Sequence, residues 1–160
     1  MERVIILVDV QNMYYTVRQG FACGFDYNQF WREAAGGREV VKAIAYATER
    51  GDAKQQQFQN ILRAIGFEVK LKPYVQRSDG SRKGDWDVGI AVDAMEFAPL
   101  ADVVVLASGD GDFAVLLQRI GELFAVRTEV YGVAELTALS LIQAASKFIP
   151  IEGPLLLRKH

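Results

Sequence analysis

The sequence predicts an α/β fold, a three-layer α/β/α sandwich around a mostly parallel sheet, and three observations carry that expectation. Short apolar runs of strand length recur along the chain, amphipathic segments long enough for helices separate them, and polar turn residues mark the joints. Strands linked by helical crossovers pair in parallel, and the connecting helices then cover both faces of the sheet. At 160 residues and 51% apolar, with no linker-like stretch, the chain reads as one domain over residues 1–152 followed by a short tail, 153–160.

Taken in order, Val4–Val8 is the first strand, closed by Asp9, and Asn12–Gln19 and Tyr27–Ala35 are the first two helices. Val40–Ala47 follows as a strand, then a helix over Ala53–Ile65 with Gly66 placed as its C-cap, then a strand over Phe67–Tyr74. Residues 76–87, QRSDGSRKGDWD, form the one long polar stretch; with Gly80 and Gly84 inside it, it reads as a mobile loop. Val88–Phe97 is a helix, Val103–Ala107 a strand, Phe113–Leu123 a helix, Arg127–Tyr131 a strand and Glu135–Ser146 a helix. Phe148–Ile151 is a weaker last strand.

Composition removes several kinds of chemistry. The only histidine is His160, the last residue, so hydrolases that need an internal imidazole base and zinc sites built from His and Cys lack their ligands. The lone Cys23 has no partner for an internal disulfide. The run Val4–Val8 is far too short for a signal peptide or a membrane span, which sets the expectation of a cytoplasmic protein with no membrane association. The net charge of −2 hides an uneven distribution. Residues 38–83 hold ten Lys/Arg against five Asp/Glu, while the rest of the chain holds eight against fifteen. A basic middle beside acid-rich flanks suits attraction of a polyanion to a centre of carboxylates, or it is ordinary scatter over solvated faces.

In open parallel sheets, ligands bind beyond the carboxyl ends of the strands, where the strand order reverses. Two acids matter by that rule: Asp9 ends the first strand, and Asp110 follows the fourth in VVVLASGD. If Asp9, Asp110 and Asp112 converge, with a further acid from the helix beginning near Asp87, their mutual repulsion is large. Two carboxylates ~4 Å apart cost about 4 kcal/mol at an effective dielectric of ~20. A hard divalent cation such as Mg²⁺ or Mn²⁺ relieves it, and such a site suits phosphodiester hydrolysis. Each acid also has a plainer role. Asp112 and Asp87 are each placed to cap the helix that follows, and Asn12 either orients Asp9 or caps the first helix. Asp93, six positions after Asp87, is about 240° around an ideal helix and so ranks below the others as a ligand. Asp85 and Glu96 read as exposed charges. Asp9 is the hardest to explain without a partner, since a carboxylate at the inner end of an apolar strand is costly. The D-x-D pair is weak evidence by itself; element order argues against haloacid-dehalogenase-like phosphatases, whose D-x-D-x-[TV] follows the first strand, where DVQN stands here.

Three motifs in order, VDVQN at 8–12, KGDWDVGIAVDA at 83–94 and SGDGDF at 108–113, resemble those of the NYN domain, the LabA-like branch of the PIN-like nucleases. The closing TEVYG, a helix and KFIPI fit as well, so the similarity spans almost the whole chain. Val10 stands where glycine is frequent, and one additional residue between Lys83-Gly84 and the acid leaves Asp85 and Asp87 as alternatives, with the spacing to Asp93 favouring Asp87. The resemblance implies a PIN-like fold and a Mg²⁺- or Mn²⁺-dependent ribonuclease. Asp9, Asp87, Asp110 and Asp112 are its catalytic and metal-holding acids, with Asp93, Asn12 and Ser108 supporting them. Arg77, Arg82 and Lys83 on the polar loop are then placed to grip the phosphates of single-stranded RNA, and Trp86 and Tyr14 to stack on bases or to pack in the core. The alternatives are a non-catalytic RNA- or protein-binding regulatory module of the same fold and a phosphatase of small phosphate esters. The tail, GPLLLRKH, carries three leucines that must pack on their own domain or on another copy, which raises homodimerisation as an expectation.

Overall fold

A strand that is apolar at consecutive positions needs cover on both faces, and RVIILVD receives it. In the computed structural model this segment is β1 (Arg3–Asp9), buried at every position after Arg3. Val4, Ile6 and Val8 face one core, while Ile5 and Leu7 face another. The structure describes residues 1–73, 75–76, 82–83 and 85–158, with backbone alone for Pro73, Val75, Gln76, Arg82 and Lys83.

After β1 come α1 (Val10–Phe21), β2 (Gly24–Phe25), α2 (Tyr27–Ala35), β3 (Glu39–Glu49), α3 (Ala53–Ile65) and β4 (Glu68–Pro73). The short pieces β5 (Val75–Gln76) and β6 (Arg82–Lys83) pair antiparallel. Then follow α4 (Asp87–Phe97), β7 (Val103–Ala107), α5 (Ala114–Phe124), β8 (Arg127–Gly132), α6 (Leu139–Ala144), β9 (Lys147–Pro150) and β10 (Leu156–Leu157). The central sheet has the order β4-β3-β1-β7-β8-β9, and every pairing in it is parallel. Met13 and Val17 of α1, Phe30 and Ala34 of α2 and Leu62 of α3 pack on one face. Ile90 and Ala94 of α4, Leu117 and Ile120 of α5 and Leu141 of α6 pack on the other. This is the expected three-layer sandwich.

The strand order determines where a site can form. From β1 the chain moves outward to β3 and β4, then returns through α4 to β7 on β1's other side. The connections leaving β1 and β7 therefore diverge to opposite faces, opening a crevice at their carboxyl ends. Register makes the ends level: Val4 to Val8 pair one-to-one with Val103 to Ala107, so Asp9 and Ser108 each stand one residue beyond the last pair.

Several boundaries differ from the sequence expectation for local reasons. Asp9 caps α1 and starts it two residues early, its side chain accepting from the Asn12 backbone N–H; Asp26 and Asp52 start α2 and α3 in the same way. Gly66 ends α3 as expected, at φ 137°. The helix expected over Glu135–Ser146 breaks into a 3₁₀ turn, Ala134–Leu136, and the short α6, because Thr137 turns its hydroxyl back onto the Val133 carbonyl. Within the stretch expected to be a mobile loop, Gln76 and Arg82–Lys83 lie in the β5–β6 ribbon and Asp87 already begins α4, while residues 77–81 and 84 lie outside the described residues. The tail is not free. Leu156–Leu157 pairs with Gly24–Phe25, and Leu155 and Leu156 are buried in the domain's own core. The third leucine of the tail, Leu157, is 57% exposed.

At the opposite rim from the crevice, Arg38 ties the layers together. Its guanidinium donates to both carboxylate oxygens of Glu129 on β8 (3.0 and 2.8 Å), to Glu2 (2.9 Å) and to the Ala34 carbonyl of α2 (3.1 Å). Removing Arg38 from this half-buried, bidentate cluster leaves the Glu129 carboxylate uncompensated, while Glu2 keeps its ion pair with Arg127. Replacing Arg38 with alanine is expected to lower unfolding stability by about 2 kcal/mol in a urea titration. A change within about 0.5 kcal/mol, the ordinary range for surface substitutions, would contradict this role.

Candidate metal centre at the carboxyl end of the sheet

Each element at the crevice delivers polar groups. β1 delivers Asp9, only 8% exposed, at the point where strand becomes helix. Its Oδ1 accepts from the Asn12 backbone N–H (3.2 Å), and its Oδ2 accepts from the Ser108 hydroxyl (3.4 Å). β7 delivers Ser108, which is fully buried, and then Asp110. The Asp110 N–H donates to Ser108 Oγ (3.2 Å), and the Asp110 carboxylate accepts from the Asp112 N–H (2.9 Å). Asn12 closes the ring, its Oδ1 accepting from the Gly109 N–H (2.9 Å). A side chain at Gly109 would meet the Leu136 carbonyl at 2.9 Å, so glycine lets this turn pass close to the next loop. The β1 and β7 ends are thus locked by hydrogen bonds that run through the very residues singled out in the sequence.

The other face contributes Asp87, the first residue of α4, whose N-cap is Trp86. Carboxylate oxygens of Asp87, Asp110 and Asp112 all lie within 4.8 Å of one another. Asp9 stands one link behind this group, joined to Asp110 through Ser108. Capping assigns itself differently from expectation: Asp110, not Asp112, caps the short turn Gly111–Phe113, and Asp87 makes no cap bond, which leaves the Asp87 and Asp112 side chains turned to the shared space. Asp85 accepts from the Asp87 N–H (3.3 Å), so it supports Asp87 from outside the group.

Crowding of like charge has the expected consequence. Burial raises the Asp9 carboxyl to about 6, against its hydrogen bonds from Asn12 and Ser108 and with help from the charges of Asp110 and Asp85. Burial likewise raises Asp87 to about 7, followed by its hydrogen bond with Asp110 and the charges of Asp110, Asp85 and Asp9. Among the described residues, negative charge is therefore left unbalanced here. Three clustered carboxylates and no thiolate or imidazole make a donor set for a hard, oxygen-seeking divalent cation, so the residues fit Mg²⁺ or Mn²⁺.

The structure does not bring Asp93 into this group. It is buried inside α4, where its Oδ2 accepts from Tyr46 Oη (2.8 Å) and Lys70 Nζ (2.7 Å). Tyr46 and Lys70 are direct cross-strand partners on β3 and β4, so one carboxylate fastens α4 to two strands. Next to it, the Trp86 ring tilts against Tyr46 with centroids 5.4 Å apart, its Nε1–H donates to the Ala47 carbonyl (2.9 Å), and Lys72 Nζ lies 4.7 Å from its centre. Lys72 also donates to the Asp85 carbonyl (3.0 Å). Trp86 is thereby a bolt that fixes where Asp87 begins, the packing alternative for this residue. Tyr46, Lys70 and Lys72 carried no individual signal in the sequence beyond membership of the basic middle. Tyr14 is 55% exposed on α1 with Arg18 5.5 Å from its ring centre, while Arg77 lies outside the described residues and Arg82 and Lys83 are described by backbone alone.

Two measurements follow from this geometry. Asp93→Ala leaves the Tyr46 hydroxyl and the Lys70 ammonium unpaired at a buried point, so it is expected to destabilise the fold by about 3 kcal/mol in chemical denaturation. Stability within 0.5 kcal/mol of the parent would show that the clamp does not hold α4. The second concerns pH. Because Asp9 and Asp87 titrate higher in the folded chain than the usual 3.8, the folded state holds extra protons and the metal-free protein loses stability as pH rises from about 4 through about 7. A cation needs those carboxylates ionised. Millimolar Mg²⁺ is therefore expected to raise the melting temperature more at pH 8 than at pH 5, and an equal rise at both would contradict cation binding at these acids.

Comparison with known proteins agrees with this architecture. A crystal structure of a protein of unknown function from Vibrio parahaemolyticus superposes with a TM-score of 0.94 at 55% identity, covering 98% of this chain and 96% of that one. The low amplitude and bright protein LabA of Synechococcus elongatus is 30% identical in an alignment of 119 positions that covers 69% of this chain and 63% of the length of LabA. Among the described residues, no helix is long and apolar enough to cross a membrane. Residues 3–152, nearly the whole chain, match the NYN domain, and the chain is a member of the NYN domain family.

Proposed function

We propose that the protein is a Mg²⁺- or Mn²⁺-dependent ribonuclease that hydrolyses phosphodiester bonds of single-stranded RNA. The observation that carries this reading is the meeting of Asp87, Asp110 and Asp112 within 4.8 Å, backed by Asp9, at the crevice where the strand order reverses. Asp87, Asp110 and Asp112 would hold the cation, with Asp9 beside them. Bound there, it would polarise a phosphoryl oxygen and lower the pKa of a water molecule.

The chain's own groups supply orientation. Asp9 accepts one hydrogen bond on each oxygen from Asn12 and Ser108, so its plane is fixed while lone pairs on both oxygens remain for the site. Without a cation its carboxyl is raised to about 6, and a cation held beside it would favour the ionised form, an acceptor for hydrogen bonds at Oδ1 and Oδ2. Ser108 links Asp9 to the Asp110 backbone. Trp86 and the Asp93 clamp hold Asp87 in place. Lys72, and Arg77, Arg82 and Lys83 of the 76–87 segment, are positively charged partners for the RNA phosphates.

The test is cleavage of end-labelled single-stranded RNA in Mn²⁺, with EDTA and Asp110→Asn as controls. The parent protein is expected to cleave. EDTA should abolish cleavage, and Asp110→Asn should lower the rate by about a hundredfold or more, since charge stabilisation by such a centre is worth several kcal/mol. Equal degradation by parent and variant would sink the proposal, and RNA binding without cleavage by either would favour a binding module.

A further inference from the structure

Beside the acids, over the carboxyl end of β3, lies a cavity of about 360 Å³ between α1 and α3, a volume within the usual range for small-ligand sites. Its walls include Val10 and Gln11, the residues that directly follow Asp9, and Ala47 and Thr48 at the end of the strand that pairs with β1. Asp9 pairs with Tyr46, and neighbouring strands are about 4.8 Å apart, so the cavity begins about one strand's width from Asp9. We propose that this cavity receives an unpaired nucleobase of the strand whose phosphodiester lies at the acids; the proposal rests on the ribonuclease reading and deepens it.

Three features fit that occupant. Tyr14 and Tyr15, 55% and 44% exposed and set edge-to-face with centroids 5.3 Å apart, line the opening, and a tyrosine face is a platform for a base of any sequence. Gln59 lies in the wall, only 3% exposed, and brings a side-chain amide to it. An amide with two donors and an acceptor in a cavity wall fits the hydrogen-bonding edge of a base. Lys54, at the start of α3, adds positive charge to the rim, the right sign for a flanking phosphate. The acid in its lining, Asp52, is occupied as the cap of α3, accepting from the Gln55 N–H at 2.8 Å. A second cavity, of about 280 Å³, shares Val10, Tyr14 and Phe58 with the first. Tyr14 therefore stands between two hollows, and a base stacked on it has room on either side.

The test uses fluorescein-labelled single-stranded RNA hexamers, measured for binding by anisotropy in an Asp110→Asn background and for cleavage with the otherwise unmodified protein. Tyr14→Ala and Gln59→Leu, each added to that background, are expected to weaken binding about tenfold while circular dichroism stays unchanged. A hexamer with one abasic nucleotide, moved position by position, should resist cleavage at the bond beside the abasic site and nowhere else. Unchanged binding by both variants would overturn the pocket whatever the nuclease does. So would cleavage indifferent to the abasic position, a readout that needs no variant to fold. Loss of binding in the variants with no cleavage by the parent would keep the pocket and overturn the ribonuclease reading instead. A nucleoside monophosphate competing as well as unlabelled hexamer would assign the cavity to a free nucleotide, against the proposal.

Discussion

Two neighbouring parallel strands, β1 and β7, end level with one another, and that register is what forces Asp9 and Asp110 into company. Everything at the site depends on it. The strands themselves are ordinary, apolar on both faces and buried between two helical layers, and they contribute nothing chemical along their length. Their ends are another matter: the chain leaves them in opposite directions, so the groups placed there look into a shared crevice. The fold supplies the rigidity, and a few residues just past the strands supply the chemistry.

Holding carboxylates together is an electrostatic liability, and the structure shows how the liability is spread. The three-acid group of Asp87, Asp110 and Asp112 is exposed enough to remain partly solvated, while the buried Asp9 is compensated by two hydrogen bonds and still titrates near 6. α4 must nevertheless be pressed against the sheet to bring Asp87 up to Asp110. That force comes from the apolar packing of Ile90 and Ala94, from the Trp86 contact with Tyr46 and Ala47, and from the Asp93–Lys70 pair. The same arrangement separates two acids of one motif by purpose: Asp87 at the start of the helix faces the crevice, and Asp93 further along faces the strands.

The fold was legible in the sequence because its strands are unmistakable: VIILV and VVVLA have no reading other than buried strands once helices flank them. Asp9 and Asp110 were legible for the same reason, since a charge that terminates such a run has a known address. Less could be read where an interaction is long-range. Asp93 looked like a lesser member of the acidic set because nothing local reveals that Tyr46 and Lys70, 24 residues apart, become cross-strand neighbours and claim its carboxylate. The choice between Asp85 and Asp87 depended on where α4 begins, which Trp86 decides through contacts to β3. Two-residue ribbons such as β2 with β10 have no periodicity to detect, and the burial of Leu155 and Leu156 followed only from that pairing.

Anomalous diffraction from crystals grown or soaked in Mn²⁺, collected at the manganese edge, tests the central claim most directly. The account expects density bounded by the carboxylates of Asp87, Asp110 and Asp112, within reach of Asp9. A strong manganese signal bound elsewhere on the molecule, with this crevice unlabelled at saturating Mn²⁺, would contradict it.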